Sequence, residues 1–402
     1  MTVRILTNGR LVLEDRVIDN GWLVVRDGVI DSLGPGEPPE PRRFNGAALD
    51  YVDLERQWVL PGYIDLHCHG GGGRAIYSGD IEDVRIAAAA HLGRGTTSML
   101  ASIASARLET MIAAAEAIGA AIDDNSAPNI RGIHFEGPFL SPARRGAQTA
   151  TALRLPDEGV FRTLMRAAGG HAASMTIAPE LDGAIELIRR HSDDIVFCVG
   201  HTDGGAEAFQ AAVDAGARHV THLFNAMPGI THRSPGPAIR ALLDPRVTVE
   251  LIADGHHLAA DTVRLALSTA GTRRGVLVTD AMAAAGLEDG RYAFVDRTVD
   301  VRGGAAYLHG TDTLAGSTLF IGDAAARVGA LADLSPVDTA RLTSANAARV
   351  LGWADRGVLT AGTPADLVIS PDGAHASAVA IAGHWRPAEV PPDVARREFA
   401  LN

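Results

Sequence analysis

The sequence predicts an α/β fold class: a (β/α)8 TIM barrel with a small discontinuous β-sandwich domain built from both chain ends. Eight short apolar stretches alternate with alanine-rich helical stretches, which is the pattern of an α/β barrel. Period-two alternation and turn dipeptides occupy both ends of the chain. Histidines and carboxylates stand at the carboxyl ends of several predicted strands, where such barrels form their active sites.

The N-terminal part is predicted to form short strands separated by NG and DG turns, as in RILTNGRLVL and DNGWLVVRDGVIDSLG. The pattern changes at Trp58 to strands alternating with helices. From about residue 356 to 390 the chain returns to β periodicity. We therefore expect a small β domain of residues 1–58 plus 356–402, and a barrel domain of residues 59–355.

The barrel domain contains eight strand candidates, which is the number that closes an α/β barrel. They lie at about 60–66, 96–101, 131–135, 174–178, 195–200, 218–222, 247–252 and 275–279. Helical stretches such as RLETMIAAAEAIGAAI lie between them. Two late helices, at about 320–331 and 336–350, follow the eighth strand.

Composition excludes several classes of function. The 402 residues include 48 acidic and 36 basic ones, a net charge of −12, and no basic run of the kind that nucleic acid requires. MTVRILTNGR lacks an apolar signal core, and no stretch approaches the roughly 20 apolar residues of a membrane span. We expect a cytoplasmic protein that binds neither nucleic acid nor membrane. Cys68 and Cys198 are expected to be reduced core thiols.

Side chains suited to metal binding end the predicted strands. His67 and His69 alternate along the first strand, so both imidazoles point to one face. The later strands end in four more polar residues: Glu136, His201, His222 and Asp280. Imidazole and carboxylate ligands suit Zn²⁺, with Fe²⁺, Mn²⁺ or Co²⁺ as alternatives. All 36 basic residues are arginine, so a carbamylated lysine cannot bridge two ions, and Glu136 is the best-placed bridging group.

Such a site predicts hydrolysis of an amide. A divalent ion lowers the pKa of its bound water to about 7, which makes that water the nucleophile. Asp280 would accept its proton as general base and deliver it to the leaving nitrogen as general acid. His134 alternates with Glu136 but lies deeper in its strand, where we expect a hydrogen-bonded interior histidine.

Seven motifs together carry a family resemblance: PGYIDLHCHGGGG, HFEGPFLSPARRGA, GHTDGG, THLFNAMPGITHRSPG, ADGHH, VTDAM and TLAGS. Over nearly its whole length the chain resembles the N-acetylglucosamine-6-phosphate deacetylases of the amidohydrolase superfamily. The resemblance implies one or two metal ions per subunit, held by His67, His69, Glu136, His201 and His222, with Asp280 as the catalytic acid and base.

The resemblance also implies a substrate site and a homodimer in which the neighbouring subunit helps to complete the phosphate site. The residues implied around the phosphate are Asn225, the backbone of Ala226, Arg233 and His257. Those implied to line the sugar pocket are Ala147, Leu314, Ala315 and Gly316. An arginine fork with an imidazole suits a phosphate dianion.

One position departs from the family pattern, because Gln148 stands where the family usually has a histidine that contacts the substrate. Glutamine can donate and accept hydrogen bonds but cannot carry a proton at neutral pH. The expected reaction is hydrolysis of N-acetylglucosamine 6-phosphate to glucosamine 6-phosphate and acetate, a step in amino-sugar recycling. Two alternatives stay open: a different N-acyl amino sugar, such as the galactosamine epimer or a non-phosphorylated sugar, and a non-catalytic scaffold.

Overall fold

The computed structural model describes residues 2–40, 44, 47–294 and 297–387. The chain divides into two compact units. The first comprises Met1–Ile64, His91–Ser98 and Ile321–Asn402, and the second comprises Asp65–Ala90 and Met99–Phe320. The domain boundaries expected at residues 58 and 356 remain a prediction, and the end of the expected β domain, residues 388–402, lies outside the described residues.

The strands of the described residues are numbered in chain order. They are β1 (Thr2–Val12), β2 (Val17–Arg26), β3 (Val29–Pro35), β4 (Ala48–Asp53), β5 (Trp58–Pro61), β6 (Tyr63–Cys68), β7 (Gly70–Gly71), β8 (Arg74–Ala75), β9 (Thr96–Ala104), β10 (Ile130–Glu136), β11 (Ala172–Ile177), β12 (Val196–Val199), β13 (His219–Val220), β14 (Thr248–Ile252), β15 (Gly275–Val278), β16 (Gly290–Phe294), β17 (Arg297–Arg302), β18 (Ala305–Leu308), β19 (Leu314–Ser317), β20 (Leu367–Ser370), β21 (Ala378–Ile381) and β22 (His384–Pro387).

The helices are numbered in the same way. They are α1 (Ile81–Leu92), α2 (Leu108–Asp123), α3 (Glu158–Ala167), α4 (Ala184–His191), α5 (Ala206–Ala215), α6 (Gly236–Leu243), α7 (Ala260–Ala270), α8 (Ile321–Ala332), α9 (Pro336–Ala340) and α10 (Asn346–Val350). Alanine-rich α2 follows intrinsic helix propensity. At the start of α3 the Asp157 side chain accepts the Val160 N–H at 2.8 Å, which satisfies a free helix donor. A π-helical turn, Arg341–Ala345, joins α9 to α10.

Both chain ends contribute to one sheet, as the sequence predicts. Its order is β22, β21, β20, β5, β1, β2, β3, and β4 pairs in parallel with the first half of β1. Successive β2 residues face opposite sides, so Leu23 and Val25 join one apolar cluster while Val24 joins another. Both faces of this sheet therefore carry buried apolar residues.

Eight strands form the barrel sheet in the order β6, β9, β10, β11, β12, β13, β14, β15. Each predicted barrel strand overlaps one of these eight, which confirms the predicted fold class. Their residues are almost all buried, as expected for strands covered on both faces. The ring closes where the Asp280 N–H donates to the His67 carbonyl at 2.7 Å and the His69 N–H donates to the Ala281 carbonyl at 2.8 Å.

A four-stranded antiparallel sheet, β16 to β19, lies between β15 and α8 and has no counterpart in the sequence prediction. Its apolar residues Phe294, Val299 and Val301 pack with Met282 and Ala283, just beyond the end of β15. We call this β16–β19 segment the inserted sheet. The inserted sheet reaches the carboxyl end of β15, because β19 runs alongside the residues that follow that strand.

Two other expectations concern the chain as a whole. In the described part of the chain, no helix is both long and apolar enough to cross a membrane. Cys68 and Cys198 are both buried and neither forms a disulfide, as expected for core thiols.

Candidate active site

The structure brings together the six polar side chains expected at the barrel mouth. Glu136 is the last residue of β10, while His201, His222 and Asp280 each follow their strand by two residues. The last three have φ angles of 47°, 27° and 48°, in the left-handed region that non-glycine residues seldom adopt. Such backbone strain is held by surrounding contacts and concentrates at functional sites. These strand ends therefore turn sharply at the residues that present the site.

Glu136 lies at the centre of this group. Its Oε1 atom is 3.0 Å from His201 Nε2, 3.2 Å from His222 Nε2 and 3.5 Å from His67 Nε2. Its Oε2 atom is 3.3 Å from His69 Nε2. Oε1 thus faces His201, His222 and His67 while Oε2 faces His69, so this one carboxylate contacts both histidine pairs, as a bridging group would.

The donor atoms fall into two groups capable of holding a metal ion. Donors of His67, His69 and Asp280 lie within 4.8 Å of one another, and the same holds for Glu136, His201 and His222. Within each histidine pair the Nε2 atoms are 3.1 Å apart, so their lone pairs converge on one point. Nitrogen and carboxylate donors without thiolate fit Zn²⁺ and similar divalent ions. The residues present therefore fit a divalent metal centre.

Contacts on the far side of the imidazoles orient three of the four rings. Their Nδ1 atoms lie 3.1 Å from Glu250 Oε2 for His67, 3.1 Å from the Ser102 carbonyl for His69, and 2.9 Å from the Arg144 carbonyl for His201. Acceptors at these positions place the proton on Nδ1 and leave the Nε2 lone pair for a metal. The Nδ1 atom of His222 has no partner among the described residues.

Opposite charges shift the pKa values in this buried site. Burial opposes ionisation of His67, but Asp280, Glu250 and Glu136 raise its pKa well above the ordinary value. Burial also opposes ionisation of Glu136, yet His201 and His67 hold its pKa well below the usual range. Glu136 is therefore an anion at neutral pH. A divalent cation would compete with the imidazole protons, so metal binding is coupled to proton release.

Backbone contacts on both sides hold Asp280 at the site. Its N–H donates to the His67 carbonyl, and its own carbonyl accepts the Ser317 N–H of β19 at 2.7 Å. Gly316 makes this approach possible: its φ is 70°, and a Cβ there would lie 2.7 Å from the Asp280 carbonyl oxygen. Asp280 Oδ1 lies 3.4 Å from His69 Nε2 and 3.6 Å from His67 Nε2. The inserted sheet thus braces the carboxylate expected to move protons.

A cavity of about 210 Å³ opens onto this site. Seven of the residues implied for substrate binding line it: Ala147, Gln148, Asn225, Ala226, His257, Leu314 and Gly316. Two others do not. Ala315 is fully buried, and Arg233 is exposed on the segment before α6. The binding roles of all nine residues remain predictions.

His257 and Asn225 have their polar atoms arranged by neighbours. His257 Nδ1 is 2.7 Å from Asp254 Oδ2, while the Asn225 amide nitrogen donates to the His222 carbonyl at 3.2 Å. Burial opposes the charge on His257, but the hydrogen bond and charge of Asp254 raise the pKa of that imidazole overall. Asp254 therefore favours the imidazolium form of His257 at the cavity wall.

Sequence reasoning missed part of the site. Gly146, Phe294 and Thr313 also line the cavity, and the last two belong to the inserted sheet or the loop before β19. Two buried carboxylates lie behind the ligands. Asp65 accepts the His67 N–H at 3.2 Å, and Glu250 accepts the His222 N–H at 2.9 Å. Strand alternation is the sequence signal that points to Asp65, because Asp65 lies two residues before His67 on the same strand face.

His134 behaves as an interior histidine, as expected. Its Nδ1 is 2.7 Å from Ser174 Oγ and its Nε2 is 3.1 Å from Thr176 Oγ1. Burial lowers its pKa to about 3, so the ring is neutral. Both nitrogens are occupied, which leaves none for a metal.

The barrel and its paired donor groups define a metal-dependent hydrolase of the α/β-barrel class. Residues 58–390 match the amidohydrolase family. The N-acetylglucosamine-6-phosphate deacetylase of Bacillus subtilis is 39% identical over 317 residues, covering 77% of this chain and 80% of that protein. The chain belongs to the N-acetylglucosamine-6-phosphate deacetylase family of the amidohydrolase superfamily.

Two further relatives bear on the substrate. The N-acetylgalactosamine-6-phosphate deacetylase of Escherichia coli O157:H7 is 32% identical over 339 residues, covering 83% of this chain and 89% of that protein. A mutant N-acetyl-D-glucosamine-6-phosphate deacetylase of Mycobacterium smegmatis, solved in complex with N-acetyl-D-glucosamine-6-phosphate, superposes with a TM-score of 0.89. It is 35% identical and covers 96% of this chain and 99% of its own.

Proposed function

We propose that this chain hydrolyses N-acetyl-D-glucosamine 6-phosphate to D-glucosamine 6-phosphate and acetate in amino-sugar catabolism. The observation that carries the proposal is the convergence on one cavity of two metal-capable donor groups, one of which includes Asp280. Relatives that act on phosphorylated N-acetyl amino sugars support the choice of substrate. We also propose zinc as the metal, a homodimer as the assembly and the cytoplasm as the compartment.

The protein's own residues divide the work. His67, His69, Glu136, His201 and His222 would hold one or two ions. When bound, a divalent ion supplies an activated water and polarises the amide carbonyl. Asp280 accepts a proton at Oδ1 and delivers it to the leaving nitrogen, without which an amine leaves poorly. Bracing by β19 keeps that carboxylate oxygen in position for both transfers.

We propose that phosphate recognition rests on polar groups that line the cavity. Asp254 raises the pKa of His257, which favours the imidazolium form and with it a charged hydrogen-bond donor for the phosphate. Asn225 and Ala226 also line the cavity. Arg233 is exposed and does not line the cavity of its own chain. This placement supports the proposal that Arg233 acts in a homodimer, where a neighbouring subunit completes the phosphate site.

The galactosamine epimer is a second candidate substrate, favoured by a specific observation. The chain is 32% identical to an enzyme named for N-acetylgalactosamine 6-phosphate. Its identity to two relatives named for N-acetylglucosamine 6-phosphate is similar, at 30% and 33%. The two sugars differ only in the configuration of one hydroxyl group. A site that hydrogen-bonds that hydroxyl can discriminate strongly, because the wrong epimer leaves buried polar groups unpaired.

The test is acetate release by zinc-loaded protein from N-acetylglucosamine 6-phosphate, its galactosamine epimer and unphosphorylated N-acetylglucosamine. We expect the first to give the highest kcat/KM. The Asp280→Asn protein should bind metal yet lose turnover, which makes it the matched control for contaminating activity. Preference for the epimer would make N-acetylgalactosamine 6-phosphate the substrate in place of the glucosamine compound. Absence of acetate release despite bound metal would favour a non-catalytic scaffold.

A further inference from the structure

Gln148 lies beside the centre of the metal site. It belongs to the loop after β10, between the short 3₁₀ turns Pro142–Arg144 and Ala150–Ala152, and only 5% of its surface is exposed. Its backbone N–H donates to the Arg145 carbonyl at 2.9 Å, which fixes the loop locally. A polar side chain this deeply buried needs hydrogen-bond partners for its amide.

The orientation of the Gln148 amide follows from its partners. The Ser105 backbone N–H points at Gln148 Oε1 at 2.8 Å, and a backbone N–H can only donate. The oxygen must therefore face Ser105, and the amide nitrogen faces Glu136. Nε2 donates to Glu136 Oε2. Ser105 also donates through Oγ to the Glu136 carbonyl at 2.8 Å, so both residues brace the end of β10.

This contact bears on the carboxylate expected to bridge two ions. Oε2 of Glu136 is the oxygen that faces His69, at 3.3 Å from its Nε2. A carboxylate oxygen has two lone pairs, so Oε2 can accept from Gln148 and still bind a metal ion. A neutral amide donor fixes the carboxylate plane without placing positive charge beside the cation. Partners of this kind orient metal ligands and are costly to remove.

We infer that Gln148 is a positioning residue for Glu136, and that its side chain does not primarily read the sugar. This inference rests on the proposed function for the role of Glu136 as a metal ligand. It also accounts for the departure from the family pattern. A neutral imidazole accepts through one nitrogen and donates through the other, whereas the glutamine amide accepts through its oxygen and donates through its nitrogen, so histidine and glutamine can serve the same two partners.

The test compares Gln148→Met with the native protein. Methionine keeps a similar length but neither donates to Glu136 nor accepts from Ser105. We expect metal affinity, measured by competition with a chelator in the absence of substrate, to fall 10- to 100-fold. With saturating zinc, kcat should fall while KM for N-acetylglucosamine 6-phosphate stays within about twofold.

Three further variants make the result specific. Gln148→His should restore most of the metal affinity. Gln148→Asn keeps the amide but is one methylene too short to reach both partners, so it should also bind metal weakly; it replaces Gln148→Met if that protein does not fold. Gln210→Met is the matched control, because Gln210 on α5 contacts Asp214 and Arg240 and should leave metal affinity unchanged.

Unchanged metal affinity in Gln148→Met, with a raised KM alone, would overturn the inference and return Gln148 to substrate contact. The proposed function fails in a different way, through absence of acetate release from native protein that holds metal. Since chelator competition uses no substrate, an error in the identity of the sugar leaves the Gln148 result intact. A native protein that takes up no divalent metal would overturn both.

Discussion

Glu250 is a buried carboxylate that supports the metal site from the middle of β14. Its Oε2 lies 3.1 Å from His67 Nδ1 and accepts the His222 N–H, while Oε1 lies 3.0 Å from His219 Nε2. Burial opposes its charge, but His67 and His219 hold its pKa well below the ordinary range. One carboxylate therefore orients a histidine from each donor group, and it does so as an anion.

Replacement of Glu250 by glutamine should weaken the site without changing its volume. An amide can present only one acceptor oxygen, so it cannot serve His67, His219 and the His222 N–H together. We expect metal affinity to fall 10- to 100-fold and the free energy of unfolding to fall by about 2 kcal/mol. Chelator competition and urea unfolding measure the two effects.

Glu186→Gln is the matched control for Glu250→Gln. Glu186 lies exposed on α4, where it pairs with Arg189 and Arg190, and exposed pairs contribute little to stability. The control should leave both quantities unchanged. If Glu250→Gln binds metal as tightly as native protein, Glu250 serves the fold and not the metal site.

Individual ligands could be predicted because each ends a strand, and strand ends meet at one mouth of a barrel. Glu250 could not be predicted in this way because it lies inside the strand TVELI and not at its end. Its apolar neighbours give that segment the pattern of an ordinary buried strand. Gln148 was expected from the resemblance to contact substrate. Its bond to Glu136 depends on a loop conformation that no periodicity encodes.

The strands and helices that the sequence predicts correctly are those with strong apolar periodicity. All eight barrel strands and the helices α8 to α10 lie where the sequence places them. The inserted sheet was missed because its strands β16 and β17 are short and half-exposed, and their alternation resembles that of a polar loop. It nevertheless supplies Phe294 and Gly316 to the cavity, so the unpredicted element shapes the substrate site.

The start of α8 is tied to the loop after β20 by one histidine. His375 Nδ1 lies 2.7 Å from Asp372 Oδ2, and its Nε2 lies 3.2 Å from Asp323 Oδ1 in the first turn of α8. These two hydrogen bonds, acting against partial burial, raise the pKa of His375 to about 10. Both flanking carboxylates favour the imidazolium form.

This histidine should make stability depend on pH. Its folded pKa of about 10 exceeds the ordinary value of 6.5. Its stabilising contribution is therefore complete below about pH 6.5 and is lost as pH rises through 10. We expect His375→Gln to lower the free energy of unfolding by about 1 kcal/mol at pH 6 and by much less at pH 10. Urea unfolding at both pH values measures the difference.

His384→Gln provides the comparison for His375→Gln, because His384 is an exposed histidine on β22. Its substitution should change the free energy of unfolding by less than about 0.5 kcal/mol at either pH. An effect of His375→Gln that is equal at pH 6 and pH 10 would mean that its charge does not stabilise the contact with α8.

The molecule as a whole combines a net charge of −12 with a buried group of carboxylates at the barrel mouth. Glu136, Glu250 and Asp280 are all at most 8% exposed. Buried anions are costly unless they are paired or coordinate a metal. Imidazoles offset part of this charge, and a divalent cation would offset more. Metal binding should therefore stabilise the folded chain as well as serve the reaction.

Metal removal is expected to lower the melting temperature. A ligand that binds only the folded state stabilises it by about 4 kcal/mol when its concentration is 1,000 times Kd. Unfolding entropy is about 2.1 cal/mol/K per residue, so for this chain of 402 residues each kcal/mol corresponds to roughly 1.2 °C and the shift should be about 5 °C. Melting curves with and without chelator, and after zinc is restored, measure the shift, while metal analysis counts the ions bound per chain.

A Glu136→Gln protein separates binding at this site from weak binding elsewhere. Because Glu136 contacts both histidine pairs, its loss should abolish most of the zinc-dependent shift while surface interactions remain unaffected. If zinc raises the melting temperature of Glu136→Gln as much as that of the native chain, the stabilising ion is held elsewhere. If it shifts only the native chain, the same carboxylate that organises the donor groups also links metal binding to the stability of the fold.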